Sequence, residues 1–155
     1  MRRLGWLCCV AVLAGCAKKE AAPAADTTAA LPPAPPAPPM LTAADVAGKW
    51  HVRVMGETSD SVLVEYDMTA TAGDTGWTIM LPKRKAMKPR VMFSGDSVVV
   101  DNGPYESVLR KGLQVTTHTV NRLQGGELVG MTTAHYAVKS GDSTVMLRNR
   151  GTRVP

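Results

Sequence analysis

From Val46 to the C terminus, apolar residues recur at every second position in short runs, and turn-forming residues interrupt those runs at close intervals. Trp50, Val52 and Val54 alternate with His51 and Arg53; Val62, Val64, Tyr66 and Met68 alternate with Glu65 and Asp67. Similar runs cover 77–81, 91–93, 98–100, 105–109, 113–120, 128–136 and 144–150. A period of two places alternate side chains on one face of an extended strand, and the many β-branched residues favour that conformation. Gly73-Asp74-Thr75, Gly95-Asp96-Ser97 and Gly141-Asp142-Ser143 repeat one turn chemistry, and Gly125-Gly126 supplies a fourth tight hairpin. No stretch beyond Val46 carries a helical period; only Thr42–Val46 has the makings of one helical turn. Short connections force neighbouring strands to pair antiparallel. A meander of this length must shield its edges, and rolling up removes them. The expected fold is all-β, a small up-and-down antiparallel β-barrel of eight or nine strands over residues 46–155, with a two-sheet β-sandwich as the alternative.

Ahead of this domain, Arg2 and Arg3 precede an apolar run from Leu4 to Leu13, followed by small residues. A basic start, a short apolar run and a small-residue cleavage point form an export signal; about 20 apolar residues would be needed to span a bilayer. Leu13-Ala14-Gly15-Cys16 resembles the lipobox of bacterial lipoproteins. The resemblance implies cleavage of residues 1–15 and lipid on the Cys16 sulfur and amino group, which makes the membrane a partner. Ala17, standing where an Asp would signal inner-membrane retention, resembles the pattern for sorting to the outer membrane, facing the periplasm. Residues 16–45 then form a tether. Its core, 31–39, reads Leu-Pro-Pro-Ala-Pro-Pro-Ala-Pro-Pro and favours an extended polyproline helix of about 28 Å, a semi-rigid spacer.

Charge and cysteine usage narrow the function. The chain of 155 residues carries a formal charge of +5, which falls to about +3 once Arg2 and Arg3 leave with the signal. With export, and with one basic loop rather than a dense stripe, this argues against nucleic acid as a partner. Cys8 and Cys9 lie in the signal, so Cys16 is the only cysteine of the mature chain. The domain therefore has no disulfide, no thiol nucleophile and no cysteine zinc site.

Gly48-Lys49-Trp50, at the start of the first expected strand, resembles the Gly-x-Trp of the calycin group of lipocalins, avidins and fatty-acid-binding proteins. The resemblance implies that Trp50 closes one barrel end and that an arginine of the last strand, Arg148 or Arg150, packs across its ring. It also implies a small apolar ligand inside the barrel. The lipocalins' further motifs and their C-terminal helix have no counterpart here.

Other candidates come from the residues themselves. If Gly125-Gly126 forms the hairpin turn, His118 faces Thr133 and Thr116 faces His135, which sets both histidines on one face as diagonal neighbours. Such a cluster could hold a polar ligand or a metal, although no third ligand is evident: His51 is far in sequence, even if first and last strands meet in a closed barrel. Lys83, Arg84, Lys85, Lys88 and Arg90 form a loop bracketed by Pro82 and Pro89. It suits an anionic surface, and equally a solvated loop that blocks edge pairing. Met55, Met68, Met80, Met92, Met131 and Met146 fall in strands and would suit either an adaptable ligand-lined interior or a plain core. Nothing forms a catalytic constellation: Ser-Gly-Asp-Ser at 94–97 and 140–143 is turn chemistry, and Glu65 with Asp67 shares a solvated strand face. The expected function is that of a lipid-anchored envelope lipoprotein, without enzymatic activity, cofactor or metal, whose barrel binds a small apolar ligand. The alternative is a scaffold or interaction module whose exterior binds an envelope protein or glycan.

Overall fold

The computed structural model describes residues 39–141 and 143–155. The leader, Leu13-Ala14-Gly15-Cys16 and the tether through residue 38 lie outside the described residues. A single helical turn, α1 (Ala43–Val46), opens the domain. Eight strands follow: β1 (Gly48–Gly56), β2 (Val62–Ala70), β3 (Thr78–Met80), β4 (Arg90–Ser94), β5 (Ser97–Glu106), β6 (Gln114–Gln124), β7 (Glu127–Tyr136) and β8 (Thr144–Val154). All pair antiparallel in one sheet of order β3-β2-β1-β8-β7-β6-β5-β4, curled into a half-barrel. One sheet, rather than two packed face to face, excludes the sandwich.

The first and last strands are joined along their whole length, from Lys49 opposite Val154 to Gly56 opposite Leu147. The opening lies in mid-chain, between the short strands β3 and β4. The 81–89 loop narrows it: Ile79 and Met87 exchange two backbone hydrogen bonds, of 2.9 and 2.8 Å. The proline-bracketed basic segment is thus the flap beside the sheet's exposed edge, where lysine and proline discourage pairing with another chain.

Alternation sorts the side chains. The concave face takes Trp50, Val52 and Val54 from β1, Tyr66 and Met68 from β2, Val98 and Val100 from β5, Leu128 and Ala134 from β7, and Leu147 from β8. Of the six strand methionines only Met68 is buried; Met80, Met92 and Met146 are 54, 40 and 45 % exposed. The interior is therefore not methionine-lined, because the other five occupy the outward parity of their strands. The expected run at 105–109 is not a separate strand. Tyr105 and Glu106 end β5, and an irregularity between Asn102 and Tyr105 adds one residue against β6. Such a bulge reverses the parity beyond it, so Tyr105 joins the concave face although Val98, Val100 and Asn102 set the opposite count. This fusion makes eight strands of the nine runs.

Candidate functional site

The concave face holds two apolar clusters, one at each end. Around Trp50 and Trp77 the packing is dense, with Val46, Met68, Ile79, Val98 and Leu128. Toward the other end, Val54, Val115, Ala134, Tyr136 and Leu147 are looser and leave a cavity of about 70 Å³. A water-sized sphere occupies about 10–15 Å³ on this measure, so the cavity has room for a handful of heavy atoms.

The chain's three tyrosines, Tyr66, Tyr105 and Tyr136, all line this cavity. Burial pushes the Tyr66 phenol well above its ordinary range, and the neighbouring Tyr105 adds to the effect. Burial also raises Tyr105, partly offset by a hydrogen bond with Thr117 and by the nearby Arg84. At neutral pH the Tyr66 and Tyr105 phenols are therefore uncharged and available as hydrogen-bond donors within a mostly apolar wall.

A buried polar chain crosses the concave face between the two clusters. The Thr119 and Thr132 hydroxyls are 2.8 Å apart, Thr132 Oγ1 donates to Asn149 Oδ1 at 2.7 Å, and Asn149 Nδ2 donates to Asn121 Oδ1 at 2.9 Å. Thr119 and Thr132 also line the cavity. Cross-strand register brings these residues together, since Thr119 lies opposite Thr132, Asn121 opposite Gly130 and Gly130 opposite Asn149. Gly130 is obligatory here: a Cβ on it would lie 2.0 Å from the Val120 carbonyl oxygen and 2.3 Å from Asn121 Oδ1.

The opposite end is capped. Trp50 is fully buried and donates from Nε1 to the Val46 carbonyl at 2.8 Å. The arginine across its ring is Arg153, 4.5 Å from the ring centroid, rather than Arg148 or Arg150. Antiparallel register is the reason: Trp50 lies opposite Arg153, whereas Arg148 lies opposite Met55 near the far end of β1. Arg148 instead donates to the Gly56 and Ser59 carbonyls and to Asp60 Oδ1, and Arg150 pairs with Glu127 at 3.3 Å.

The hairpin at Gly125-Gly126 has the anticipated register, with His118 opposite Thr133 and Thr116 opposite His135. The two imidazoles nevertheless engage opposite neighbours. His118 Nδ1 meets Asp101 Oδ1 at 2.6 Å on the β5 side, and His135 Nδ1 meets Thr144 Oγ1 at 3.1 Å on the β8 side. His51 contacts Asp67 at 3.0 Å on the outer face of β1. Among the described residues, no group of three or more His, Cys, Asp or Glu is placed to hold a metal. In the basic loop, Lys83, Lys85, Lys88 and Arg90 are exposed and Arg84 is half-buried.

The tyrosine cluster was missed from sequence. Tyr66 and Tyr136 sit in runs whose parity marks them as inward, but Tyr105 reaches the cavity only through the β5 bulge. The fold and site together describe a half-barrel with one sealed end and one small, tyrosine-lined hollow. Comparison with protein-family models, curated proteins and solved structures finds no match to this chain.

Proposed function

We propose that this is an exported lipoprotein, anchored through Cys16 to the periplasmic face of the outer membrane, whose half-barrel binds a small apolar ligand at its open end. The single observation that supports the ligand reading is the convergence of all three tyrosines on one mostly apolar hollow whose rim includes exposed Val108 and Leu109; the anchor is read from the Leu13–Cys16 resemblance. A mostly apolar wall with a few hydrogen-bond donors is the usual make-up of a small-molecule site. Its size restricts the occupant. Sites that enclose a whole drug-sized ligand measure about 300–1,000 Å³, so a hollow of about 70 Å³ takes a small ring or one branched end of a longer molecule. The neutral phenols favour a ligand that offers a hydrogen-bond acceptor near that end.

Native mass spectrometry of the protein purified from its source tests the ligand. An apolar species should co-purify, and Ala134→Phe, which fills the hollow, should lose it. A source-purified protein that carries nothing, and whose tyrosine ring signals do not move with added small apolar probes, would overturn the reading. Cys16→Ala tests the anchor separately: it should abolish lipid labelling and release the chain from the membrane fraction.

A further inference from the structure

We propose that the open end of the half-barrel is a docking surface for an anionic phospholipid bilayer, independent of the Cys16 anchor and of what enters the hollow. Two loops meet at this end. Pro82, Lys83 and Arg84 of the flap share a shallow groove with Glu106, which ends β5, and with Val108 and Lys111 of the 107–113 turn. Lys83, Arg84, Lys85, Lys88 and Lys111 have no acidic partner within 4.0 Å among the described residues, whereas Arg122, Arg148 and Arg150 on the strand exterior are each paired. The one carboxylate in the groove, Glu106, accepts the Gly112 backbone N–H at 3.3 Å. Lys83, Arg84 and Lys111 thus line the groove, and Lys85 and Lys88 follow on the same flap; Glu65 and Asp67, which adjoin Lys83 and Arg84 on the other side, are engaged by His51, so the flap and turn together carry an excess of positive charge.

Charge alone would suit any polyanion; the neighbouring apolar side chains select the bilayer. Val108 and Leu109, at the tip of the 107–113 turn, are 42 and 39 % exposed. The turn is held in shape from beneath by buried Ser107, whose Oγ accepts the Leu109 and Arg110 N–H groups at 3.0 and 2.9 Å, and whose own N–H reaches the Leu113 carbonyl at 2.7 Å. The flap is held by its double hydrogen bond between Ile79 and Met87. The preformed 107–113 turn thus presents aliphatic side chains beside the cations of the preformed flap, the arrangement that inserts between headgroups while satisfying their phosphates. A polysaccharide offers nothing to the aliphatic tips.

The test uses the chain from Ala17 onward, which contains every described residue and lacks both leader and Cys16. It should sediment with vesicles of phosphatidylcholine mixed with phosphatidylglycerol, not with phosphatidylcholine alone, and high salt should release it. Each basic side chain near an anionic surface contributes about fivefold, so Lys83→Gln, Lys85→Gln, Lys88→Gln and Lys111→Gln together should weaken binding by roughly a hundredfold or more. Val108→Ser with Leu109→Ser should weaken it about tenfold. All these side chains are solvent-facing, so unchanged urea unfolding verifies the fold. Equal binding to both vesicle types, binding to neither, or full binding by the four-lysine variant would overturn the proposal. So would an equal loss on neutralising Lys49 and Arg53 instead, or a serine pair that binds undiminished while a soluble anionic polysaccharide displaces the protein.

Discussion

The guanidinium of Arg153 fills the space that a side chain on Gly48 would need: a Cβ there would lie 2.8 Å from Nη1, and Gly48 has φ +136°, a backbone state that favours glycine. Arg153 uses that space to stack on Trp50 and to donate to the Ala47 carbonyl at 2.6 Å and to the Asp45 carbonyl. Gly151 serves the same end of the fold, leaving room for Trp50, Val52 and Leu128. The Gly-x-Trp pattern thus has a local physical cause. Arg153→Ala should cost about 1–2 kcal/mol, from the lost cation–π contact and carbonyl hydrogen bonds. Arg148→Ala removes an exposed ion pair and hydrogen bonds to the Gly56 and Ser59 carbonyls but no ring contact, so it should cost less than Arg153→Ala; urea unfolding of both variants checks the order. A second prediction concerns Tyr66 and Tyr105, whose phenols are raised above the ordinary value of 10.0 by burial. The unfolded chain ionises these two phenols near pH 10 while the folded one retains their protons, so their contribution to stability should be flat up to that point and fall above it. Unfolding midpoints measured from neutral to strongly alkaline pH should show this decline, and Tyr66→Phe should make it shallower.

At the level of strands, the Thr119–Thr132–Asn149–Asn121 chain stitches β6, β7 and β8 across the concave face. Each member satisfies the next, and these buried polar groups cost little only while the chain is complete. Thr132→Val removes the acceptor for Thr119 and the donor to Asn149 at nearly constant volume. It should destabilise by about 1–3 kcal/mol, whereas Thr133→Val, one residue on and outward, should change stability by less than about 0.5 kcal/mol. Paired denaturation curves test the difference. The strands themselves were legible because parity is local: Trp50-Val52-Val54 and Val64-Tyr66-Met68 each declare their own inner face. The same rule, applied strand by strand, would have turned Met55, Met80, Met92, Met131 and Met146 outward. It fails at the β5 bulge, where Gly103 runs so close to β6 that a Cβ would lie 2.7 Å from the Val115 carbonyl oxygen. No alternation pattern announces an inserted residue, so Tyr105 could not be assigned to the hollow in advance.

For the molecule as a whole, β8 is the element on which the sheet depends. It lies between β1 and β7 and joins β3-β2-β1 to β7-β6-β5-β4. Removing residues 144–155 would expose two long strand edges and divide the core around Trp50 and Leu147. The truncated chain should lose cooperative unfolding and the near-ultraviolet circular dichroism of its buried tryptophans. An equally sized deletion of residues 22–33, in the segment expected from sequence to be a tether, should leave both unchanged. The half-barrel also has polarity. The chain enters at the Trp50 end, where the Leu41 N–H bonds the Gly95 carbonyl at 2.8 Å, and the hollow lies at the other.

By itself the sequence determined the all-β class, the antiparallel meander and the Gly125-Gly126 hairpin with its register. These depend on alternation, turn chemistry and short connections, all of which act between near neighbours. Only the tertiary structure decided that the sheet opens between β3 and β4, that Arg153 rather than Arg148 covers Trp50, that His118 and His135 bond apart, and that three tyrosines share one small hollow. Each of those depends on the relative register of strands distant in the chain, which a few hydrogen bonds and one bulge set and no local pattern encodes.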